Sequence, residues 1–413
     1  MRRSSTLSIK LFLIVVCISP LLSGCWDRQE IEERAVALGI GIDQAEPDAQ
    51  KQEGEISHLR GTLPAPRTGM IRVTVQIAVP GRIPLGPGGG GGGGGAAGGG
   101  GQNTVWVVEG VGHTIDDAFN NIQQRISSPL FFGHLRIIVV SETLARKGIR
   151  NLNEYFRRNP EIRRMTWMLI SKGKAEALMK ASPQLERVPT LYLLSTLDQS
   201  VKIGRFPNDF LGMFWSASSA KGQEGFLPYA ALKSEDTVEI SGLAFFRDDK
   251  LVGVTKPLEI PLYMGITGLN PAGGQAFVQL PGTSEYILFG ARTRKSVIQP
   301  EMKNGKPIMK INIFLEGNIL EKSNDQVELN SKIIKETEQE LAKRATKAYE
   351  DLIKKTQEQG SDIFGFGELV RAKKWQYWNR EIKTKKNWQN MYKELSFEVS
   401  VQTRIRRVGM KAK

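Results

Sequence analysis

Thr104–Ile126 reads TVWVVEGVGHTIDDAFNNIQQRI and places a strand directly before a helix. The run of β-branched and aromatic residues at its start is typical of a strand. Thr114 and Asp117 then resemble a capping box, which marks the beginning of a helix. The apolar residues that follow share one helical face: Ile115, Ala118, Phe119, Ile122 and Ile126. A strand that leads into an amphipathic helix predicts a fold in which helices cover a sheet.

The same interleaving of strands and helices extends on both sides of this unit. Upstream, Ile71–Val79 alternates apolar and polar residues with a period of two, which predicts a half-buried strand. Downstream, Arg136–Val140 and Arg163–Ile170 indicate further strands, and helical periodicity follows each of them. These elements fit an α+β or α/β layer over residues 25 to about 195.

The C-terminal third combines alternating strands with the longest predicted helix. Residues 284–320 show strand alternation, and Ser331 begins an amphipathic helix that continues to about Gln359. Gly360 stands where a C-terminal cap belongs. A last strand is predicted at 395–401. We expect the long helix to pack on a sheet through its apolar stripe.

Length and pattern together predict an α+β protein of three mixed α/β domains with antiparallel or mixed sheets. The N-terminal domain covers 25–195 and carries a flexible glycine-rich insertion at about 81–102. The middle domain covers 196–283, and the C-terminal domain covers 284–413 with its long helix at about 331–359.

The segment before Cys25 has the order of an export signal: basic residues, an apolar stretch at Leu11–Leu22, and small residues. The stretch is 12 residues long, whereas a membrane-spanning helix needs about 20. Leu22-Ser23-Gly24-Cys25 resembles the lipobox of bacterial lipoproteins. That resemblance implies a signal peptide at 1–24 and a diacylglyceryl group, with acyl chains such as palmitate, on Cys25. The alternative is an ordinary cleaved signal, which would leave the mature protein untethered.

Two acyl chains on Cys25 would hold the protein on a bilayer without a spanning helix. Each buried CH₂ contributes about 0.8 kcal/mol, so two long chains give a gross contribution of about 20 kcal/mol. Beyond Cys25 no stretch approaches the length of apolar sequence that crosses a membrane. The sequence therefore predicts a protein anchored to a lipid bilayer.

The chain is basic, and the excess is concentrated towards its end. The net charge is +14, and residues 330–413 hold 20 Lys and Arg against 11 Asp and Glu. This basic C-terminal region could contact anionic lipids, where each cation contributes about 1 kcal/mol before screening. A solvated, repulsive surface is the more common explanation of such a surplus. We expect no nucleic acid partner, because an exported and anchored protein rarely meets one.

Glycine-rich stretches offer no nucleotide-binding pattern. Twelve glycines lie between positions 88 and 101, but Gln102 and Asn103 follow instead of the Lys and Ser/Thr of a phosphate-binding loop. The run also lacks the proline-containing triplets of collagen. A second stretch, Ser361–Gly367, is interpreted as a turn packed onto the final strand.

The sequence contains no convincing set of catalytic or metal-ligating residues. Its histidines, His58, His113 and His134, lie in separate segments without ligand spacing. We interpret His134, which precedes a predicted buried strand, as a structural residue. Cys17 leaves with the signal and Cys25 carries lipid, so no thiol remains in the mature chain. We predict that the protein is not an enzyme and needs no cofactor or metal.

A set of short motifs follows one another along the mature chain. They are Gly24–Ile31 (GCWDRQEI), Gly39–Asp43 (GIGID), Val75–Pro80 (VQIAVP), Glu109–Gly110, Phe131–Leu135 (FFGHL), Gly242–Gly253 (GLAFFRDDKLVG), Ser361–Gly367 (SDIFGFG) and Thr403–Gly409 (TRIRRVG). As an ordered set they resemble the Ger(x)C family, the GerAC-like lipoprotein C subunits of spore germination receptors. The glycine run departs from the usual pattern of that family.

The resemblance implies a three-domain α+β lipoprotein on the outer face of the cytoplasmic membrane, which in a spore is the inner spore membrane. It implies a nutrient germinant receptor in which this chain associates with integral-membrane A and B subunits. Only Cys25 carries over as a residue with a role. A solute-binding lipoprotein of a transporter is the alternative, and it predicts two similar α/β lobes around a cleft. An envelope hydrolase is a third hypothesis, for which the catalytic residues are missing.

Overall fold

The structure is a computed structural model that describes residues 30–52, 69–79, 104–181, 186, 188–234, 237–324 and 329–407. The strands of its first sheet are β1 (Ala35–Gln44), β2 (Ile71–Ala78), β3 (Val105–Gly112), β4 (Leu130–Phe131), β5 (Ile137–Ser141), β6 (Trp167–Lys172), β7 (Phe226–Ser234), β8 (Thr237–Arg247) and β9 (Lys250–Val254). The helices between them are α1 (Ile115–Gln123), α2 (Glu142–Lys147), α3 (Arg150–Arg158), α4 (Ala175–Lys180), α5 (Pro189–Lys202) and α6 (Leu211–Ser219).

The remaining elements build the C-terminal part. They are α7 (Glu259–Thr267), β10 (Gln275–Gln279), β11 (Tyr286–Lys303), β12 (Lys306–Lys322), α8 (Ser331–Gln359), α9 (Phe366–Lys373), α10 (Lys385–Tyr392) and β13 (Ser396–Arg407). Short helical turns occur at Ile31–Glu33, Ala49–Gln52, Trp375–Tyr377 and Trp378–Ile382.

The first sheet is mixed, with parallel strands in its centre and antiparallel strands at both sides. Its strand order is β3-β2-β1-β5-β6-β7-β8-β9, and the short β4 pairs with the start of β1. β1, β5, β6 and β7 run parallel to one another, and the pairs β1–β2, β2–β3, β7–β8 and β8–β9 are antiparallel. Parallel central strands need cover on both faces, which the helices supply.

Side chains of the central strands alternate between two hydrophobic cores. Val139 and Leu169 point into one core, whereas their neighbours Val140 and Ile170 point into the other. Because successive side chains of a strand face opposite sides, both faces of this sheet are buried. Helices α1, α2, α3 and α6 contribute to the second of these cores.

The second sheet has four strands in the order β10-β11-β12-β13, with β12 and β13 parallel. The long helix α8 lies against it, where Leu341 packs with Phe289 and Ile319. Thr403 of β13 donates its hydroxyl to the carbonyl of Glu338, and the N–H of Ile405 donates to the Glu338 carboxylate at 2.7 Å. The predicted α+β class, with mixed sheets and a long helix packed on a sheet, is confirmed.

One core joins the two sheets. It contains Phe245 of the first sheet, Ile311 of the second, Leu352 of α8 and Trp388 of α10, all of them almost fully buried. We call this the junction core. Because it draws on residues from about 137 to 395, the C-terminal part packs directly against the first sheet.

Several local predictions are confirmed. The backbone N–H of Asp117 donates to the Thr114 hydroxyl at 3.1 Å, so Thr114 caps α1. The Asp117 carboxylate accepts from the N–H of His113, one residue earlier than a capping box requires. The longest helix among the described residues is α8, which is capped by Asn330 and ends at Gly360 with a left-handed backbone.

The predicted boundary between 25–195 and 196–283 falls inside α5. Because β7, β8 and β9 extend the sheet that β1 belongs to, residues from both predicted domains share one sheet. The chain enters the second sheet only at β10. The division into three domains stays a prediction, and strand pairing supports a break only between the two sheets.

Candidate functional site

The predicted lipidation site, Cys25, lies outside the described residues, as do the signal peptide at 1–24 and the glycine-rich insertion at 81–102. Within the described part of the chain, no helix is both long and apolar enough to span a membrane. The same residues contain no group of three or more His, Cys, Asp or Glu placed to hold a metal ion.

The histidines are not gathered into one site. His58 lies outside the described residues, and His113 is half-buried at the start of α1. The interpretation of His134 as a structural residue stays a prediction, and its side chain is exposed at the surface. Its ring meets Phe131 edge-on at 5.9 Å between centroids. The turn preceding β5 directs this residue outwards, while Leu135 takes the buried position.

A buried carboxylate organises the segment Ser361–Gly367. Asp362 is 1% exposed and accepts hydrogen bonds from the backbone N–H groups of Gly365, Phe366 and Gly367 at 2.8–3.2 Å. The indole N–H of Trp388 donates to it at 3.0 Å. These donors favour the ionised form, but burial is the larger effect and raises the pKa of Asp362 to about 7.

This segment was predicted to be a turn on the final strand, and in the structure its hydrogen bonds reach the first sheet and the loop before β7. The Ser361 hydroxyl donates to the carbonyl of Phe246 in β8 at 2.5 Å. The carbonyl of Asp362 accepts from the N–H of Glu224 at 2.8 Å. The backbones of Gly222 and Gly367 approach so closely that a Cβ on either would meet the other at 2.3–2.6 Å. The sequence pattern gave no indication of these long-range contacts.

A second buried polar group lies beside it. Glu224 has a side chain that is 2% exposed and forms an ion pair with Lys385 of α10 at 3.0 Å. Gln389 donates its side-chain N–H to Glu224 at 2.6 Å, and the N–H of Asp248 donates to it at 3.0 Å. Burial raises the pKa of Glu224, and the nearby Lys385 opposes that rise. Glu224 therefore ties the first sheet to α10.

Arg294 is a buried cation held by carbonyl groups. It is 2% exposed, and its guanidinium donates to the carbonyls of Pro261, Gly204 and Pro271 at 2.9–3.3 Å. Burial lowers its pKa to about 10. The side chain borders an apolar cavity of about 770 Å³ between α7, β10, β11 and α8.

The rim of that apolar cavity exposes large hydrophobic side chains. Leu258 is 77% exposed and Phe277 is 69% exposed, and both line the cavity. Exposed apolar groups that are clustered around a concave surface are typical of protein contact sites.

A different cavity, of about 450 Å³, contains a buried acid. Asp209 is 4% exposed and lines this cavity next to Tyr263 of α7 and Gln223. Its Oδ2 atom has no hydrogen-bond partner among the described residues. Burial raises the pKa of Asp209 well above its ordinary value. The sequence shows only an aspartate shortly before a helix, which is a common and uninformative pattern.

Two family profiles match the chain one after the other. The profile described as "Spore germination protein N-terminal domain" matches residues 27–232. The profile described as "Spore germination B3/ GerAC like, C-terminal" matches residues 241–409. The chain belongs to the GerAC-like family of spore germination proteins. The resemblance seen in the sequence motifs is thereby confirmed.

The first profile of the GerAC-like family ends in β7 and the second begins in β8, which pairs with β7 in the first sheet. The Glu224–Lys385 ion pair joins the two matched regions. So does the contact between Gly222 and Gly367. The N-terminal and C-terminal regions of this family member thus share both a sheet and a core.

Relatives of similar length carry related names. "Spore germination protein GerQC" of Bacillus cereus is 26% identical over 72% of this chain and 81% of its own length. "Spore germination protein KC" of Bacillus subtilis (strain 168) is 25% identical over 100% of this chain and 97% of its own length. A solved structure titled "Crystal Structure of the GerBC protein" superimposes with a TM-score of 0.54 at 18% identity. It covers 83% of this chain and 95% of its own, and at that identity it establishes the fold alone.

Proposed function

We propose that this chain is the lipid-anchored C subunit of a nutrient germinant receptor. It is needed for spore germination and acts by association with integral-membrane A and B subunits. The supporting observation is where the family match begins: the N-terminal profile starts at Asp27, two residues after Cys25. A folded body with the family pattern thus follows directly on a lipobox-like sequence.

A diacylglyceryl group on Cys25 would keep the folded body close to the bilayer. β1 begins at Ala35, ten residues after Cys25. Ten fully extended residues span about 35 Å. The start of β1 would therefore lie within that distance of the outer face of the cytoplasmic membrane, which is the inner spore membrane and would also contain the A and B subunits.

The proposed role requires no chemistry of its own. Family membership in spore germination proteins supports a subunit role. The exposed apolar rim at Leu258 and Phe277 offers a surface for protein contact. The alternative, a solute-binding lipoprotein of a transporter, predicts two similar lobes, but in the described residues the two sheets have nine and four strands.

The anchor is tested by Cys25→Ala, with Cys17→Ala as the matched control in the other cysteine. The variants are expressed in a strain that lacks the A and B subunits, so that protein contacts cannot hold the chain on the membrane. We expect Cys25→Ala to move from the detergent phase to the aqueous phase in a partitioning assay, and to lose acyl groups by mass spectrometry. Cys17→Ala should behave like the wild type.

The same variants test the receptor role when they are expressed beside the A and B subunits. Cys25→Ala should reduce germination in response to the nutrient of that receptor, because the tether raises the local concentration of this chain next to its partners. Continued membrane attachment of Cys25→Ala in the absence of A and B would disprove the lipid anchor. Normal germination after deletion of this chain would disprove the subunit role.

We also propose that the basic C-terminal region contacts anionic lipids as a secondary attachment. Purified Cys25→Ala protein separates this contact from the anchor. We expect it to bind vesicles that contain phosphatidylglycerol more strongly than vesicles of phosphatidylcholine, with a loss of binding in high salt. Equal binding to both kinds of vesicle would show that the excess of Lys and Arg in the C-terminal region only forms a solvated surface.

A further inference from the structure

The cavity that contains Asp209 is bounded by three helices and the loop before α6. Its walls include Val201 at the end of α5, Met213 of α6, and Tyr263 and Met264 of α7. Most of the remaining lining is apolar, with a few amide and hydroxyl groups among it. A volume of about 450 Å³ lies within the range of small-molecule sites, which are mostly apolar with a few polar groups.

The acid in this cavity lacks the partners that buried acids normally have. Buried polar groups are almost always hydrogen-bonded, and buried charges are paired. Asp209 is 4% exposed, yet its Oδ2 atom has no partner among the described residues. It also makes no capping hydrogen bond to α6, whose N-cap residue is Phe210. A structural role in helix capping therefore does not explain its position.

With Asp209 ionised, the electrostatics of the lining favour a positive ligand. Asp209 and Tyr263 are the titratable side chains among the lining residues, and no Lys, Arg or His is present there. Val201 and Thr267 place the C-terminal turns of α5 and α7 at the wall. Helix C-termini carry partial negative charge, which attracts cations.

We propose that this cavity binds a small organic ammonium ion with an apolar body, with the Asp209 carboxylate as its counter-ion. The hydroxyl of Ser216 and the side-chain amides of Asn208 and Gln223, which also line the cavity, would accept the remaining N–H groups. Met213, Met264 and Phe226 would surround the apolar body. Because no cationic side chain lines the cavity, a free amine should bind better than an amino acid that also carries a carboxylate.

This binding site goes beyond the proposed role as an anchored subunit, because it gives the chain a ligand of its own. It does not depend on Cys25, on lipid or on the A and B subunits. Its test therefore uses the detergent-solubilised full chain, and failure there leaves the proposed receptor role untouched.

The experiment compares three probes of nearly the same shape. They are isopentylammonium, its neutral counterpart 3-methyl-1-butanol, and L-leucine, which adds a carboxylate to the same amine. Binding is measured by calorimetry and by the methyl resonances of the methionines. We expect isopentylammonium to bind at one site and to shift Met213 and Met264, while Met179 and Met309 stay unchanged. The alcohol and L-leucine should bind at least about tenfold more weakly.

Two variants identify the counter-ion. Asp209→Asn keeps the size of the side chain but removes its charge, and it should weaken isopentylammonium binding at least about 30-fold. Asp198→Asn is the matched control, since Asp198 accepts from the indole N–H of Trp167 and does not line the cavity. Asp198→Asn should bind like the wild type.

The proposal is overturned by any of four results. The first is no binding of isopentylammonium. The second is equal binding of the alcohol or of L-leucine. The third is unchanged affinity in Asp209→Asn. The fourth is a shift at methionines away from the cavity. Each of these would show that Asp209 is not the counter-ion of an amine.

Discussion

Asp362 and Asp209 are both buried carboxylates, but their surroundings differ completely. Asp362 accepts from three backbone N–H groups and one indole N–H, whereas Oδ2 of Asp209 has no partner among the described residues. Both acids lie close enough to Tyr263 to contribute to the raised pKa of its phenol, after burial as the main cause. Two similar side chains in one region of the fold thus have opposite hydrogen-bonding environments.

This difference in hydrogen bonding indicates a different role for each acid. A buried carboxylate with four donors stabilises the backbone that supplies them, so Asp362 fixes the start of α9 and holds this segment beside Trp388 of α10. A buried carboxylate without donors costs stability, and such a cost is typical of a binding site. Asp362 is therefore assigned to architecture, and Asp209 to the ligand that we propose.

The largest expected effect comes from Asp362→Ala. The change leaves three backbone N–H groups and the Trp388 indole N–H buried without an acceptor, so we expect the free energy of unfolding to fall by about 4 kcal/mol. Urea unfolding followed by tryptophan fluorescence measures it. Asp351→Ala, on the exposed side of α8, is the control and should cause no measurable change. If Asp362→Ala left the free energy of unfolding unchanged, Asp362 would have no architectural role.

A smaller effect is expected for Lys385→Met at the junction between Glu224 and α10. At pH 7 the loss of the ion-pair partner should lower the free energy of unfolding by about 2 kcal/mol. Without Lys385 the pKa of Glu224 rises further, so stability is retained at low pH and lost as the pH increases through that pKa. Lys386→Met, the exposed neighbour on the same helix, serves as the control. An effect that does not depend on pH would show that Lys385 acts by packing alone.

An effect of the opposite sign, a gain in stability, is expected for Asp209→Asn in the absence of ligand. Burial raises the pKa of Asp209 in the folded protein, so its native form holds a proton at pH values where the unfolded chain has lost it. The stability that this group contributes is present below pH about 4 and is lost as the pH rises through the native pKa, with a slope of about 1.4 kcal/mol per pH unit.

Asp209→Asn removes this loss of stability at high pH, because asparagine does not ionise. The difference in unfolding free energy between variant and wild type should be near zero at pH 4 and should favour the variant at pH 8. Urea unfolding at both pH values measures it, with Asp198→Asn as the control. A variant that is less stable than the wild type at pH 8 would mean that Asp209 has a structural partner, and the contrast with Asp362 would disappear.

Local elements of this fold follow from the sequence. The alternation in Ile71–Val79, the cap at Thr114 and the glycine after α8 depend on residues within a few positions of each other. The family was also recognisable from motifs such as Gly39–Asp43, because these are short and occur in a fixed order. The domain boundary predicted at 195/196 falls inside α5, and residues on both sides of it share one sheet, because strand pairing joins segments that are far apart along the chain.

The sequence by itself determined the strands and helices, the family, and a lipobox-like start, because these depend on short patterns. Only the tertiary structure decided which buried acid is satisfied. Asp362 receives a hydrogen bond from Trp388, 26 residues away, and Asp209 is enclosed by helices that come from separate segments. Desolvation and hydrogen bonding arise from the packed surroundings of a side chain, and the residues adjacent to it in the sequence do not specify those surroundings.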